Sequence, residues 1–338
     1  MPVAPRLIRR LLIIPLVFVL EIALVALFPV VVLIAALVDV VVRGPWRTVR
    51  LVTVGLAVVL SEIATVASLF FLWVANPSRT ALRSERMQDA HYELFRWWLA
   101  AMYRAGERLL GLRVEFQESP PGEPGPVIVL ARHAGPGDSL LVVHFLLSEY
   151  RRRPRLVMKD DMQWDAGIDL LGGRLPNAFI GTTDNAERAI AELARDLGER
   201  DAVVLFPEGG NFTKRRRERA IARLRKKGLH EEADQAERMR HVLPPYTGGA
   251  VAALSTAKEA DVIFVAHTGL EDLSGLPALW RNVPLERPIL VRYWRVQFTD
   301  IPADAEAQND WLYDWWERVD EWIGVHRQPA RAQTPASP

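Results

Sequence analysis

A histidine and an aspartate five residues apart follow the apolar run Val127-Ile-Val-Leu-Ala131, in the segment His133-Ala-Gly-Pro-Gly-Asp138. The run reads as a buried strand and residues 138–150 as a helix. A histidine on a strand-end loop can reach a substrate, and an acid at this offset can fold back onto one ring nitrogen. The acid then fixes the tautomer and stabilises the imidazolium, which makes the pair a general base for an alcohol. The two glycines and the proline permit the tight turn this needs. His267-Thr-Gly-Leu-Glu-Asp272 repeats the offset after another apolar strand. That block leads into the polar stretch Glu271-Asp-Leu-Ser-Gly275, which reads as surface loop, so His133 is the stronger candidate.

A second block, Phe206-Pro-Glu-Gly-Gly210, directly follows the strand candidate Ala202-Val-Val-Leu205. Glu208 is a carboxylate held by proline and glycine at a strand end, and the N–H groups of Gly209 and Gly210 can face an anion. Taken alone, the block reads rather as a plain strand-to-loop turn. Ser139 offers a different chemistry, a nucleophile with His133 as its base, but it lacks the Gly-x-Ser-x-Gly elbow that exposes such a serine.

Further strand candidates lie at 155–158, 177–180, 202–206, 261–266 and 289–298, separated by helical patterns such as 185–199 and 248–258. This alternation predicts an α/β layered domain. Residues 119–126 read as a Pro/Gly loop, and residues 328–338 as a disordered tail.

The charge distribution places this domain beside an apolar segment. Of 338 residues, 42 are Lys or Arg and 41 are Asp or Glu, a net charge of +1, which argues against a nucleic-acid binder. Residues 1–75 carry six arginines and three acids, so they hold +3 and the remainder −2. Residues 11–42 contain only Glu21 and Asp39 as charges and residues 51–75 only Glu62. Both stretches exceed the roughly 18 apolar residues at which a membrane helix is the default reading. Residues 1–76 are therefore predicted to form a helical hairpin anchor. Arginines flank every boundary, so the positive-inside count leaves spanning and monotopic arrangements both open. Glu21 and Glu62 are expected to sit in an interhelical hydrogen bond or along a proton or lipid path. Residues 77–112 keep a helical apolar pattern through Leu82, Phe95, Trp98, Met102 and Leu109, interleaved with arginines, and are expected to lie at the membrane interface or to pack on the domain. The chain has no cysteine, which excludes disulfides, thiolate metal sites and Cys nucleophiles.

Taken together, the His133…Asp138 block and, 75 residues on, Phe206-Pro-Glu-Gly209 resemble the paired blocks of the glycerolipid acyltransferase family, which includes the 1-acylglycerol-3-phosphate acyltransferases. Lys159 and Trp164, Arg240-His-Val-Leu-Pro-Pro-Tyr-Thr-Gly-Gly249, and Trp311-Leu-Tyr-Asp314 with Trp315 and Trp316 resemble its lysocardiolipin and lysophosphatidylinositol branch. The resemblance implies a mixed sheet flanked by helices over residues 113–300, with a C-terminal helix at 301–327. It implies transfer of a fatty acyl group from acyl-CoA or acyl carrier protein to the hydroxyl of lysophosphatidate or another lysophospholipid, with no metal and no further cofactor. His133 would be the base and Asp138 its orienter, with Glu208, Gly209, Gly210 and Asn211 holding the acceptor. The domain would face the cytoplasm at the cell membrane, with membrane lipids as its partners.

Three positions depart from the family pattern. Phe179-Ile180 is followed by Gly181-Thr182 rather than arginine, Pro-Glu-Gly by Gly210-Asn211 rather than Thr-Arg, and Tyr246 stands where an arginine is usual. Losing a guanidinium fork removes a strong phosphate contact. Replacement charge is available at Lys159, Arg174 and in the run Lys214-Arg-Arg-Arg217, continued by Arg219, Arg223, Arg225, Lys226 and Lys227. That run either meets donor phosphates or anionic lipid, or forms a solvated helix face balanced by Glu218, Glu231 and Glu232. The competing readings are a non-catalytic lipid-binding protein on the same fold, and a lipid hydrolase using Ser139.

Overall fold

A computed structural model describes residues 3–82, 84–118, 124–135, 137–181, 186–273 and 275–327. Most of the 119–126 loop, Pro136, Thr182 and the expected tail at 328–338 lie outside the described residues.

The chain opens with two long helices, α1 (Arg6–Val42) and α2 (Arg47–Ala75), both long and apolar enough to cross a membrane. Arg43 and Trp46 adopt left-handed backbone (φ 52° and 57°) and reverse the chain between them. Asp39 explains one charge inside the apolar run. Its carboxylate accepts hydrogen bonds from Thr48 N (3.0 Å), Thr48 Oγ1 (2.7 Å) and Val49 N (2.9 Å), capping the otherwise unsatisfied first turn of α2. Asp39→Ala is expected to cost about 0.5–2 kcal/mol, as loss of a helix cap does. An unchanged thermal midpoint in detergent would show that the cap is dispensable.

The outer helix α1 leaves most of its apolar surface exposed, whereas α2 buries Ser61, Glu62, Thr65, Val66 and Leu69. Glu62 is thus not in an interhelical bond: its carboxylate accepts from the backbone N–H of Gly167 in the α/β domain. Further ties run along the hairpin. Arg9 and Arg10 pair with Asp169 (2.6 and 3.2 Å), Arg50 donates to Leu109 O (2.8 Å), and Arg47 to Val283 O (2.9 Å).

The helix expected over 77–112 is divided. A short turn at Arg79–Leu82 precedes α3 (Glu85–Ala105), and a π-helical turn over Gly106–Leu110 ends at Gly111. Gly111 has φ 74°, and a Cβ there would sit 3.1 Å from Leu285 O, so the turn requires glycine. Tyr92, Phe95 and Leu99 of α3 pack with Leu69, Val143, Leu147, Leu171 and Leu175. The apolar face that suggested an interfacial helix is therefore spent inside the protein. Of its two tryptophans, Trp97 is exposed.

The remainder follows in order: β1 (Val114–Phe116), β2 (Val127–Ala131), α4 (Asp138–Ser148), β3 (Arg153–Lys159), β4 (Ala178–Ile180), α5 (Ala186–Leu193), β5 (Asp201–Leu205), α6 (Lys214–Lys226), α7 (His230–Arg238), α8 (Thr247–Thr256), β6 (Asp261–Thr268), α9 (Leu276–Asn282), β7 (Ile289–Val296) and α10 (Ala305–His326). The seven strands form one mixed sheet in the order β1-β7-β6-β2-β5-β3-β4. β2 through β6 run parallel, β7 is antiparallel to β6, and β1 pairs parallel with β7. Every residue of β2 is buried, as expected of a central strand covered on both faces. Ile128 and Leu130 point into one core with Val203, Phe264 and Trp316, whereas Val127, Val129 and Ala131 point into another with Leu141, Phe145 and Val265. The three-residue edge strand β1 was not foreseen, because so short a segment carries no readable alternation.

Because β2, β3, β5 and β6 are parallel neighbours, their carboxyl ends share one edge of the sheet. His133, Lys159, Phe206 and His267 emerge there, where open α/β sheets place their ligands.

Candidate active site

The His133 turn is built around Asp138. Gly137, with φ 90°, lets the chain enter α4 with the Asp138 side chain folded back over the helix start. That carboxylate accepts from the backbone N–H groups of Ala134 (2.7 Å), Gly135 (3.1 Å) and Ser139 (2.6 Å), and from His133 Nδ1 (2.9 Å to the nearer oxygen). Burial alone would raise its pKa, but the His133 hydrogen bond, the positive potential of His267 and His133, and the Gly135 N–H outweigh it and hold the carboxyl below the ordinary value. With Nδ1–H donated to a buried carboxylate, the basic nitrogen of His133 is Nε2. The ring is a quarter exposed, lies 5.0 Å from the Phe206 ring and forms part of a cavity wall.

Glu208 does not reach that cavity. Its carboxylate is buried and both oxygens are taken by backbone: His133 N donates to one (2.8 Å) and Leu243 N to the other (2.8 Å). The sequence reading of Glu208 as an acceptor contact is corrected: it ties the His133 turn to the segment before Tyr246. The His133 carbonyl is likewise held, by Phe212 N (3.0 Å). Burial pushes the Glu208 carboxyl up to about 7, against the charge of Arg132 and the two N–H donors. A raised acid pKa means stability that is present below about pH 4.5 and lost as pH rises through about 7. The wild-type minus Glu208→Gln difference in unfolding free energy is therefore expected to fall across that window. A flat difference would remove Glu208 as the titrating group.

The other sequence candidates divide. Lys159 lines the cavity. Gly209 does not offer a free N–H, since it donates to Phe206 O (3.0 Å). Gly210 and Asn211 face the Arg216 guanidinium, which donates to Asn211 O (3.1 Å). Arg174 is turned away from the cavity, donating to Leu69 O (2.8 Å) beside His91, so it holds the end of α2. Lys214 begins α6, after the Thr213 cap, and is not part of the cavity wall.

The stretch after His267, expected as surface loop, instead turns the Glu271 side chain inward onto Arg132. His267 is buried, with Nε2 3.2 Å from Arg132 O and 3.9 Å from Asp138 Oδ2, because β6 lies beside β2. Gly135 packs so closely on this turn that a Cβ would sit 2.9 Å from Leu270 O. Arg132, fully buried beneath the site, donates to Glu271 and to the carbonyls of His267 and His241.

The cavity holds about 720 Å³. Its walls run from Thr65 of the hairpin and Phe95 and Trp98 of α3, past His133, to Tyr246 and Tyr313. This size and mostly apolar lining suit a small-molecule or lipid chain. Ser139 lines it too, but among the described residues its hydroxyl makes no hydrogen bond to His133, whose Nδ1 is already bound to Asp138. No group of ligands for a metal ion is found among the described residues.

Residues 112–267 match the family model described as Acyltransferase. That match, over 156 of the 338 residues, supports a place for the α/β domain in the glycerolipid acyltransferase family. No curated protein matches the chain. The crystal structure of the 1-acyl-sn-glycerophosphate (LPA) acyltransferase, PlsC, from Thermotoga maritima superposes with a TM-score of 0.51 at 14% identity, covering 84% of this chain and all of that one. At that identity the likeness is one of fold: a mixed sheet flanked by helices and preceded by apolar helices.

Proposed function

We propose that the protein is an O-acyltransferase that moves a fatty acyl group from a thioester, acyl-CoA or acyl carrier protein, to the free hydroxyl of lysophosphatidate or another lysophospholipid, in phospholipid synthesis or remodelling. The observation that carries this reading is His133 held by a buried carboxylate at Nδ1, with its ring on the wall of an apolar cavity beside two membrane-grade helices. His133 Nε2 takes the hydroxyl proton as the acceptor oxygen attacks the thioester carbonyl. Asp138 holds the imidazolium that forms. Collapse of the tetrahedral intermediate breaks the C–S bond, and the thiolate leaves with the proton from Nε2. The chemistry needs no metal and no covalent enzyme intermediate.

We also read the hairpin as monotopic. Domain contacts follow α2 from Arg50 to Leu69, roughly 28 Å at about 1.5 Å per residue and comparable to the hydrocarbon thickness. A spanning α2 would carry a charged α/β domain into the bilayer core, at a cost of several kcal/mol for each unsatisfied polar group. Lying in one leaflet, α1 presents its apolar surface to lipid and keeps the cavity at the interface where the acceptor resides. A single cysteine in the Arg43–Trp46 turn is expected to react with an impermeant maleimide from the same side as one on α10. Labelling from the opposite side only would show that the hairpin spans.

The reaction is tested by incubating purified protein with acyl-CoA or acyl carrier protein and a panel of lysophospholipids. Thiol release is readable directly, since the chain has no cysteine. Acceptor-dependent thiol and diacyl product are expected. Free fatty acid without acceptor consumption would identify a hydrolase, and binding without turnover a lipid-binding protein.

A further inference from the structure

Helix α6 carries the most basic stretch of the chain, and the fold sorts its charges by face. Arg217 donates to Ala236 O (3.1 Å), Glu237 O (2.8 Å) and Met239 O, and Arg225 pairs with Glu237 (2.7 Å). These two lace α6 to α7. Arg216, Arg223 and Lys227 lie seven and eleven residues apart on a different stripe, a spacing that returns to within about 20° of one direction. Of this stripe Arg223 and Lys227, with Ala220 and Leu224 beside them, line the cavity that contains His133, and Arg216 does not.

The stripe is fitted to the segments around the candidate site. The Arg216 guanidinium occupies the space left by Gly210, where a Cβ would stand 2.7 Å from its Nη1. The Arg223 guanidinium lies 5.3 Å over the Tyr246 ring, and that ring packs on Gly209. None of the three cations makes an ion pair among the described residues, and Glu218 and Glu231 do not balance them. Arg223 and Lys227 repel each other as like charges one turn apart. Glu187 on α5, Glu232 on α7 and Lys159 at the end of β3 line the same cavity, so its walls carry both signs of charge.

We infer that this stripe of α6, Arg223 and Lys227 on the cavity wall with Arg216 two turns before Arg223 against Gly210, is an anion subsite that binds a phosphate group of a substrate. A guanidinium held by an aromatic face and an ammonium one turn along present several donors to a phosphate dianion from one side. The Gly209-Gly210 pair serves this arrangement by admitting Tyr246 and Arg216, rather than by offering its own N–H groups. The phosphate comes either from the acceptor head group or from the donor's coenzyme. Only that choice of source rests on the proposed reaction.

The subsite is tested on the full-length protein in neutral detergent by binding alone, with tryptophan fluorescence as the signal. Micelles doped with lysophosphatidate, micelles doped with monoacylglycerol, and free coenzyme A are titrated against wild type, Arg223→Gln with Lys227→Gln, and Gly210→Ala. The double variant, altered at exposed positions, is expected to bind one phosphate probe about 10- to 100-fold more weakly, with monoacylglycerol unchanged. Gly210→Ala, which displaces the Arg216 guanidinium without removing charge, is expected to weaken the same probe by a smaller factor. Loss confined to lysophosphatidate assigns the subsite to the acceptor, and loss confined to coenzyme A assigns it to the donor. Equal affinity of the double variant and wild type for both phosphate probes, or an equal loss for monoacylglycerol, would overturn the subsite. A wild type that shows the binding pattern yet transfers no acyl group overturns the reaction and leaves the subsite standing.

Discussion

Replacing His133 by alanine is expected to lower acyl-transfer turnover by about 10²–10⁴, the usual worth of a positioned general base. The substitution is a clean one. The ring is a quarter exposed, and the turn around it is held by backbone, through Glu208 on the N–H and Phe212 on the carbonyl. Folding stability should change little, and acceptor KM should change less than kcat, because Nε2 acts on the proton in transit. Asp138→Asn is a poorer probe. It replaces an acceptor of three backbone N–H groups and of His133 Nδ1–H with a side chain that must present its own N–H to one of them. The measurement is kcat and KM on the best acceptor of the panel, beside a thermal midpoint for each variant. A His133→Ala protein with wild-type turnover would end the base assignment.

Replacing Glu271 by glutamine is expected to destabilise the fold by about 3–5 kcal/mol, the cost of breaking a buried ion pair from one side. Arg132 is fully buried, and its guanidinium has Glu271 as its ion-pair partner, the remaining contacts being to the carbonyls of His267 and His241. Burial by itself would raise the Glu271 pKa, yet the charge and hydrogen bond of Arg132 hold it near 2. A depressed carboxylate contributes stability that is present above its unfolded pKa, about 4.5, and is lost as pH falls through about 2. The wild-type advantage over Glu271→Gln should therefore be full at pH 7 and shrink below pH 4.5. Denaturant or thermal unfolding in detergent at pH 7 and pH 3 reads this directly. A loss below about 1 kcal/mol at pH 7 would show that the Arg132 charge is satisfied by carbonyls alone. Since Arg132 directly precedes His133, such a variant should also show activity that falls earlier on heating than its turnover at low temperature suggests.

Sequence alone was sufficient wherever the physics is local. The contact between His133 and Asp138 spans five residues and needs only a glycine-rich turn and a helix start, so spacing and turn chemistry reveal it. The strands β2, β5 and β6 are continuous apolar runs, readable because both of their faces are buried. The hairpin is legible for the same reason: length and apolar content decide a membrane-grade helix without reference to anything else.

Tertiary structure decided everything that depends on which strands become neighbours. Glu208 and His133 are 75 residues apart, and only the pairing of β5 with β2 turns an apparent ligand contact into a backbone tie. The pairing of β6 with β2 brings His267 behind Asp138, 129 residues away, although its own flanks read as solvated loop. An amphipathic stripe states that a face is to be covered but not by what, so for α3 the membrane surface and packing on the domain both stay open in the sequence, and the contacts with α2 and α4 decide for packing. The α6 arginines show the same limit. Composition could place positive charge near the site, whereas the packing of α7 against one face determined which cations are paired and which face the cavity. Spacing along the chain fixes contacts within a turn or two, and contacts between turns follow from sheet order, which no single segment encodes.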